Sequence, residues 1–136
     1  RKQNGLDSVA WNSCLSAVGA THVTDMLSAI RNNGYDPQTN PCNLHSWFDG
    51  NEGYSTCCIP NDGFQGMWDK PREICNDFTN NGYEISGWGY SSIEAALDGW
   101  KKSSGHNDVI VNQGIWSDNT WRYIGCGVNI NPSFFV

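Results

Sequence analysis

The chain has 136 residues, a net charge of −6 and only eight Lys and Arg, which makes nucleic acid and anionic membrane surfaces poor partners on electrostatic grounds. Its length suits one domain with a core of its own. A mean hydropathy of −0.52, with no apolar run near bilayer length, excludes a membrane-spanning helix, and no signal-peptide pattern opens at Arg1.

Arg1 to Trp11 is polar and reads as a loose leader. Asn12 or Ser13 can cap a helix from about Cys14 to Arg31. Leu15, Val18, His22 and Met26 mark one stripe of it, with Val23, Leu27 and Ile30 beside them, a wide apolar face suited to packing on a sheet or another helix. His22 stands at i, i+3 from Asp25 and reads as a partly buried, hydrogen-bonded histidine. From Tyr35 to Gly66 periodicity disappears and Asn, Asp, Gly, Pro and Cys accumulate; so long a connection is normally functional or cross-linked. Asp49-Gly50-Asn51-Glu52 and Asn61-Asp62 hint at calcium but lack the alternating oxygen ligands of a full binding loop, so turns are the expected use.

Asp69 is placed to cap a short helix with Pro71 in its first turn, running to about Phe78. Ser91 and Glu94 have capping-box spacing, and Ile93, Ala96, Leu97 and Trp100 fall on one face of the helix that follows. Ser103, Ser104 and Gly105 are expected to end that helix and to deliver His106 from its end. Val109-Ile110-Val111 is a buried strand candidate, the run from Trp121 to Ile130 carries a second strand signal, and Phe134-Phe135-Val136 suits a final edge strand. The order predicts an α+β fold, helices packed on a small antiparallel sheet.

Six cysteines, Cys14, Cys42, Cys57, Cys58, Cys75 and Cys126, form an even set without a Cys-x-x-Cys pair. That pattern points to disulfides and an extracellular or periplasmic compartment rather than to a zinc cluster. Adjacent Cys57 and Cys58 should reach different partners, and the segment between Cys42 and Cys75 should be stapled internally or onto Cys14.

These residues resemble a known family. Trp11-Asn12, Leu15 and Ala20-Thr21-His22-Val23-Thr24-Asp25-Met26, then His45-Ser46, Gly82-Tyr83-Glu84-Ile85, Trp88-Gly89-Tyr90, Asp98-Gly99-Trp100, Ser104-Gly105-His106 and Ile124-Gly125-Cys126-Gly127 resemble, in order, motifs of the CAP superfamily (cysteine-rich secretory proteins, antigen 5 and pathogenesis-related 1), closest to its bacterial branch. The resemblance implies a single disulfide-stapled α-β-α sandwich over residues 1–136, with a cysteine-rich insertion at about 41–68. It also implies a cleft tetrad of two histidines and two glutamates. His45, Glu84 and His106 match three of those positions, and Ser103 stands where the second glutamate belongs. Members can bind zinc or another divalent ion, so His45 and His106 are the expected metal ligands. Two imidazoles, with Glu84 as a candidate third ligand and water completing the shell, predict weak and exchangeable binding. Glu84 would then orient an imidazole or serve as a base on bound water.

The expected function is therefore that of a secreted binding domain, not an enzyme, whose extracellular ligand is a lipid, glycan or protein. Two alternatives follow from the same residues. Seven Trp and five Tyr would suit a glycan- or matrix-binding module if several were exposed, although Trp100, Trp121 and Tyr123 read as core. A weak metal-dependent hydrolase would use Glu84 as its base.

Overall fold

The computed structural model describes residues 1–50, 53–59, 63–130 and 133–135. Among the described residues are four α-helices and two small sheets, the α+β class expected. Helix α1 (Ser13–Asn32) starts where local chemistry places it: the Asn12 side chain accepts from the Leu15 N–H at 2.9 Å, satisfying a backbone donor that the first turn leaves open. Its inward face carries Gly19, His22, Val23, Met26, Leu27 and Ala29. Val23, Met26, Leu27 and Ala29 form the core together with Tyr35 and Phe48.

Two of those six core residues come from the irregular segment after α1. Tyr35, Trp47 and Phe48 are buried to 4% exposure or less, and the segment is held by specific bonds in place of periodic structure. The Asp25 carboxylate accepts from the Phe48 and Gly50 N–H groups at 2.7 and 3.3 Å. Trp47 bridges to Thr56, the Tyr35 hydroxyl donates to the Cys42 carbonyl at 3.0 Å, and Cys42 is bonded to Cys57. Asp25 thus anchors this loop. Of the stretches that hint at calcium, Asn51, Glu52, Asn61 and Asp62 lie outside the described residues, while Asp49 bonds Ser55 and Lys70.

Helix α2 (Gln65–Ile74) begins before the expected cap at Asp69, so Pro71 lies in its body. It ends where Cys75 turns extended and is bonded to Cys14 at the start of α1. Helix α3 (Ile93–Lys102) is capped by Ser92, not Ser91, through a 3.1 Å bond from the Ala95 N–H. Only Ala96 of its expected apolar face is buried, with Ile93 and Leu97 exposed. Ser103 breaks the chain with extended angles, and helix α4 (Ser104–Val111) starts at once. Gly105 is therefore a helical residue and not a cap. Val109-Ile110-Val111 is helix, not strand; a short apolar run carries no periodicity able to separate the two.

Strands β1 (Ala10–Trp11) and β3 (Tyr123–Ile124) pair in parallel, which ties down the expected loose leader. Strands β2 (Gly87–Trp88), β4 (Val128–Ile130) and β5 (Ser133–Phe135) form an antiparallel sheet in the order β2-β5-β4. The run from Trp121 to Ile130 is thus split between two sheets, and β5 is a central strand, not an edge. Val136 lies outside the described residues. The link between β3 and β4 presses onto α1: a Cβ on Gly19 would stand 2.6 Å from the Gly127 nitrogen. Tyr123 is exposed on β3, contrary to its expected place in the core.

Four of the six cysteines pair, Cys14 with Cys75 and Cys42 with Cys57, leaving Cys58 buried and Cys126 exposed as free thiols. The adjacent pair does diverge. Cys57 joins Cys42, whereas the Cys58 thiol turns inward and donates to the His45 carbonyl at 3.2 Å. Among the described residues, no helix is long and apolar enough to cross a membrane.

Candidate functional site

Four elements bring the expected cleft residues into place. His45 sits in the turn opened by Asn43, whose side-chain oxygen accepts from the His45 N–H at 2.9 Å. Glu84 lies on the extended segment before β2, a segment tied to α3 by the Trp100 indole N–H, which donates to the Ser86 carbonyl at 3.1 Å. Ser103 occupies the break between α3 and α4, and His106 the first turn of α4.

The residues meet in two groups. Glu84 Oε1 stands 3.6 Å from His45 Nδ1, in ion-pair range but longer than a hydrogen bond. His106 Nδ1 is 2.9 Å from the Ser103 hydroxyl. The two groups sense each other. Burial, and then the charge of His45, push the His106 imidazole below its ordinary value, favouring its neutral form. Among the described residues, no group of three or more His, Cys, Asp or Glu is placed to hold a metal ion. His45 and His106 alone would leave most of a metal's coordination to solvent.

His22 is the residue that sequence reasoning underrated. It is 1% exposed, its Nε2 lies 3.0 Å from the Ser46 carbonyl, and its Nδ1 lies 3.1 Å from the same Glu84 oxygen that faces His45. Its ring stacks on Trp47 at 4.3 Å and 12°, and the Lys70 ammonium lies 5.3 Å from that indole's centroid. Lys70 also pairs with Asp49 and Glu73 at 2.7 and 2.8 Å. His22 is buried and hydrogen-bonded as expected, but its ionic partner is Glu84, across the fold. Burial alone would lower its pKa; the Glu84 carboxylate outweighs that and leaves it raised. For Glu84, burial works upward and is overcome by His22 and then His45, which hold the carboxyl well below the usual range. The helical position of His22 was the available signal; its partner, 62 positions away in the chain, was not.

A cavity of about 1020 Å³ is lined in part by Glu84. Leu15 and Val18 of α1, Met67 of α2, Ile85 and Val109 contribute apolar lining, while His22, Lys70, Glu84, Arg1 and Arg122 contribute polar and charged groups. Its described lining does not include His45, Ser103 or His106. Near its rim Tyr83, Trp116 and Trp121 cluster with ring centroids 5.3–5.7 Å apart.

Comparison with curated proteins and with solved structures gave no significant match. The model of the cysteine-rich secretory protein family matches residues 1–136, the whole chain. The helix α1 motif, the His45–Glu84 contact and the glycine-lined link on α1 thus stand in a chain that belongs to the CAP, or cysteine-rich secretory protein, family.

Proposed function

We propose that this is a secreted binding domain, and that its ligand is an amphipathic, lipid-like molecule held in the cavity beside Glu84. The observation that carries this reading is the cavity itself. A volume of about 1020 Å³ with aliphatic lining and charged groups at His22, Glu84, Lys70, Arg1 and Arg122 suits an apolar body carrying a polar group. Disulfides support an extracellular setting.

The test is titration with an environment-sensitive fluorescent fatty acid. Saturable binding is expected in the wild type and at least a tenfold loss in Val18→Trp, which fills the cavity from α1. No saturable binding, or equal binding in the variant, refutes the reading.

A second reading concerns the histidine pair. Both Nδ1 atoms face inward, toward Glu84 and Ser103, so both Nε2 atoms are available to a divalent ion, which would supply Lewis acidity. Zinc calorimetry on chelator-stripped protein should show weak, saturable binding that disappears in His45→Ala and in His106→Ala. Binding that survives both substitutions excludes the pair.

A further inference from the structure

Three Asn-Gly steps occur in the chain: Asn4-Gly5, Asn33-Gly34 and Asn81-Gly82. Each carries the same chemical possibility, because glycine has no side chain to keep its backbone nitrogen away from the carboxamide before it. Ring closure between the two requires the intervening peptide to turn, so its N–H must give up any hydrogen bond it makes. The fold treats the three steps differently. The Gly82 N–H donates to the Trp68 carbonyl at 3.2 Å, and the Asn81 carboxamide oxygen accepts from Arg72 at 2.8 Å. Gly82 is also buried, and a Cβ on it would meet the Pro71 ring. The Gly5 N–H donates to the Lys2 carbonyl at 3.1 Å, closing the first turn of the chain. The Gly34 N–H has no partner among the described residues. Gly34 is exposed, with φ of 65° and nothing within 4 Å of where a Cβ would stand, and Asn33 is exposed beside it.

We propose that Asn33 is a site of spontaneous deamidation and isomerisation in the folded protein. The Gly34 nitrogen attacks Asn33 Cγ while its proton passes to solvent; the new N–Cγ bond closes a succinimide, and Nδ2 leaves as ammonia. Water then opens the ring at either carbonyl, giving aspartate or isoaspartate. The sum is hydrolysis of one amide, with no change of oxidation state. Its place in the fold gives the reaction a consequence. Asn33 is the C-cap of α1, where a new carboxylate meets the negative end of the helix dipole. Two residues on, Tyr35 enters the core, its N–H donating to the Ala29 carbonyl at 3.2 Å and its hydroxyl to the Cys42 carbonyl. Isoaspartate lengthens the main chain by one methylene at this joint, between the end of α1 and the ring that anchors the irregular segment. The site is independent of the cavity and of the histidine pair.

The test is prolonged incubation of the whole protein at mildly alkaline pH, followed by peptide mapping with mass spectrometry and enzymatic methyl labelling of isoaspartate. Each hydrogen bond that must break slows closure by about two- to tenfold. Native protein should therefore react at Asn33 faster than at Asn4 by about that factor, and faster than at Asn81 by more, since two bonds and a packed glycine hold that step. In urea the three steps should react at similar rates. Asn33→Gln should remove the leading product and leave the other two sites unchanged. Asn33→Asp, which adds the charge without the methylene, should melt below wild type, and the purified isoaspartyl form lower still. Native rates at Asn4 or Asn81 that equal or exceed the rate at Asn33 overturn the proposal. So does a native protein that stays unmodified at Asn33 while its unfolded chain reacts there.

Discussion

Replacing Gly127 with alanine would place one methyl group where the chain has no room for it. A Cβ there would lie well inside contact distance of the carbonyl carbon and oxygen of Gly19 and the nitrogen of Ala20, all backbone atoms of α1. No side chain is present to rotate away, so either the β3–β4 link or α1 must move. Overpacking costs about 1–3 kcal/mol, and contact with a helix backbone points to the upper end. Alanine also restricts the unfolded chain, which returns about 0.4–1 kcal/mol. The expected net loss is about 2 kcal/mol, roughly 6–8 °C in melting temperature for a domain of this size. Thermal and urea unfolding should show this loss without a change in urea m-value. Gly105→Ala is the control: it lies in α4 with nothing within 4 Å of an added Cβ, and should be neutral or gain up to about 1 kcal/mol. Equal midpoints for Gly127→Ala and wild type would refute the close approach. Since Gly19 precedes His22 by less than one helical turn, a displaced α1 should weaken fatty-acid binding too.

Other outcomes follow from particular contacts. Ser92→Ala should cost about 1 kcal/mol in urea unfolding and Ser91→Ala almost nothing, because Ser92 caps α3; the reverse order would restore the Ser91 box. A thiol reagent should label Cys126 in the native protein and Cys58 as well only after unfolding with the disulfides intact. Removing the Cys14–Cys75 bridge, which spans 61 positions, should cost about 4 kcal/mol by chain entropy, against about 3 kcal/mol for Cys42–Cys57. The His22–Glu84 pair predicts a stability window. His22, raised above 6.5, contributes fully below that pH and loses its contribution as pH rises through the folded value. Glu84, depressed from 4.5, contributes above that pH and loses its contribution as pH falls through the folded value. The stability difference between wild type and Glu84→Gln should therefore be largest between about pH 4.5 and 6.5 and shrink on both sides. A difference independent of pH would rule out the ion pair. Comparison with Glu84→Gln also removes His106, whose lowered value disfavours the folded state below 6.5 in both proteins.

Local chemistry made α1 and α3 legible from the residues alone. A capping side chain followed by apolar residues at helical spacing is decided within a few turns, and Asn12 with the face from Gly19 to Ala29 behaves in that way. The CAP resemblance picked out His45, Glu84 and His106 from short motifs, and the family match over the whole chain supports the framework in which they stand. Features with one end far away in the chain were not legible. Ser91 and Ser92 are equal candidates until the turn before α3 chooses one. Val109-Ile110-Val111 has no period of its own, and its helix is set by α3 behind it and by the Trp121 indole that donates to the Val109 carbonyl. The pairing of six cysteines depends on which Cβ atoms fold to within bonding reach, so the sequence determined an oxidisable set and the tertiary structure decided that four of them bond. The same distinction governs the site: composition and spacing supplied the acid and the histidines, but burial of His22 against Trp47, and the arrival of Glu84 from a distant segment, decided which of them share a charge.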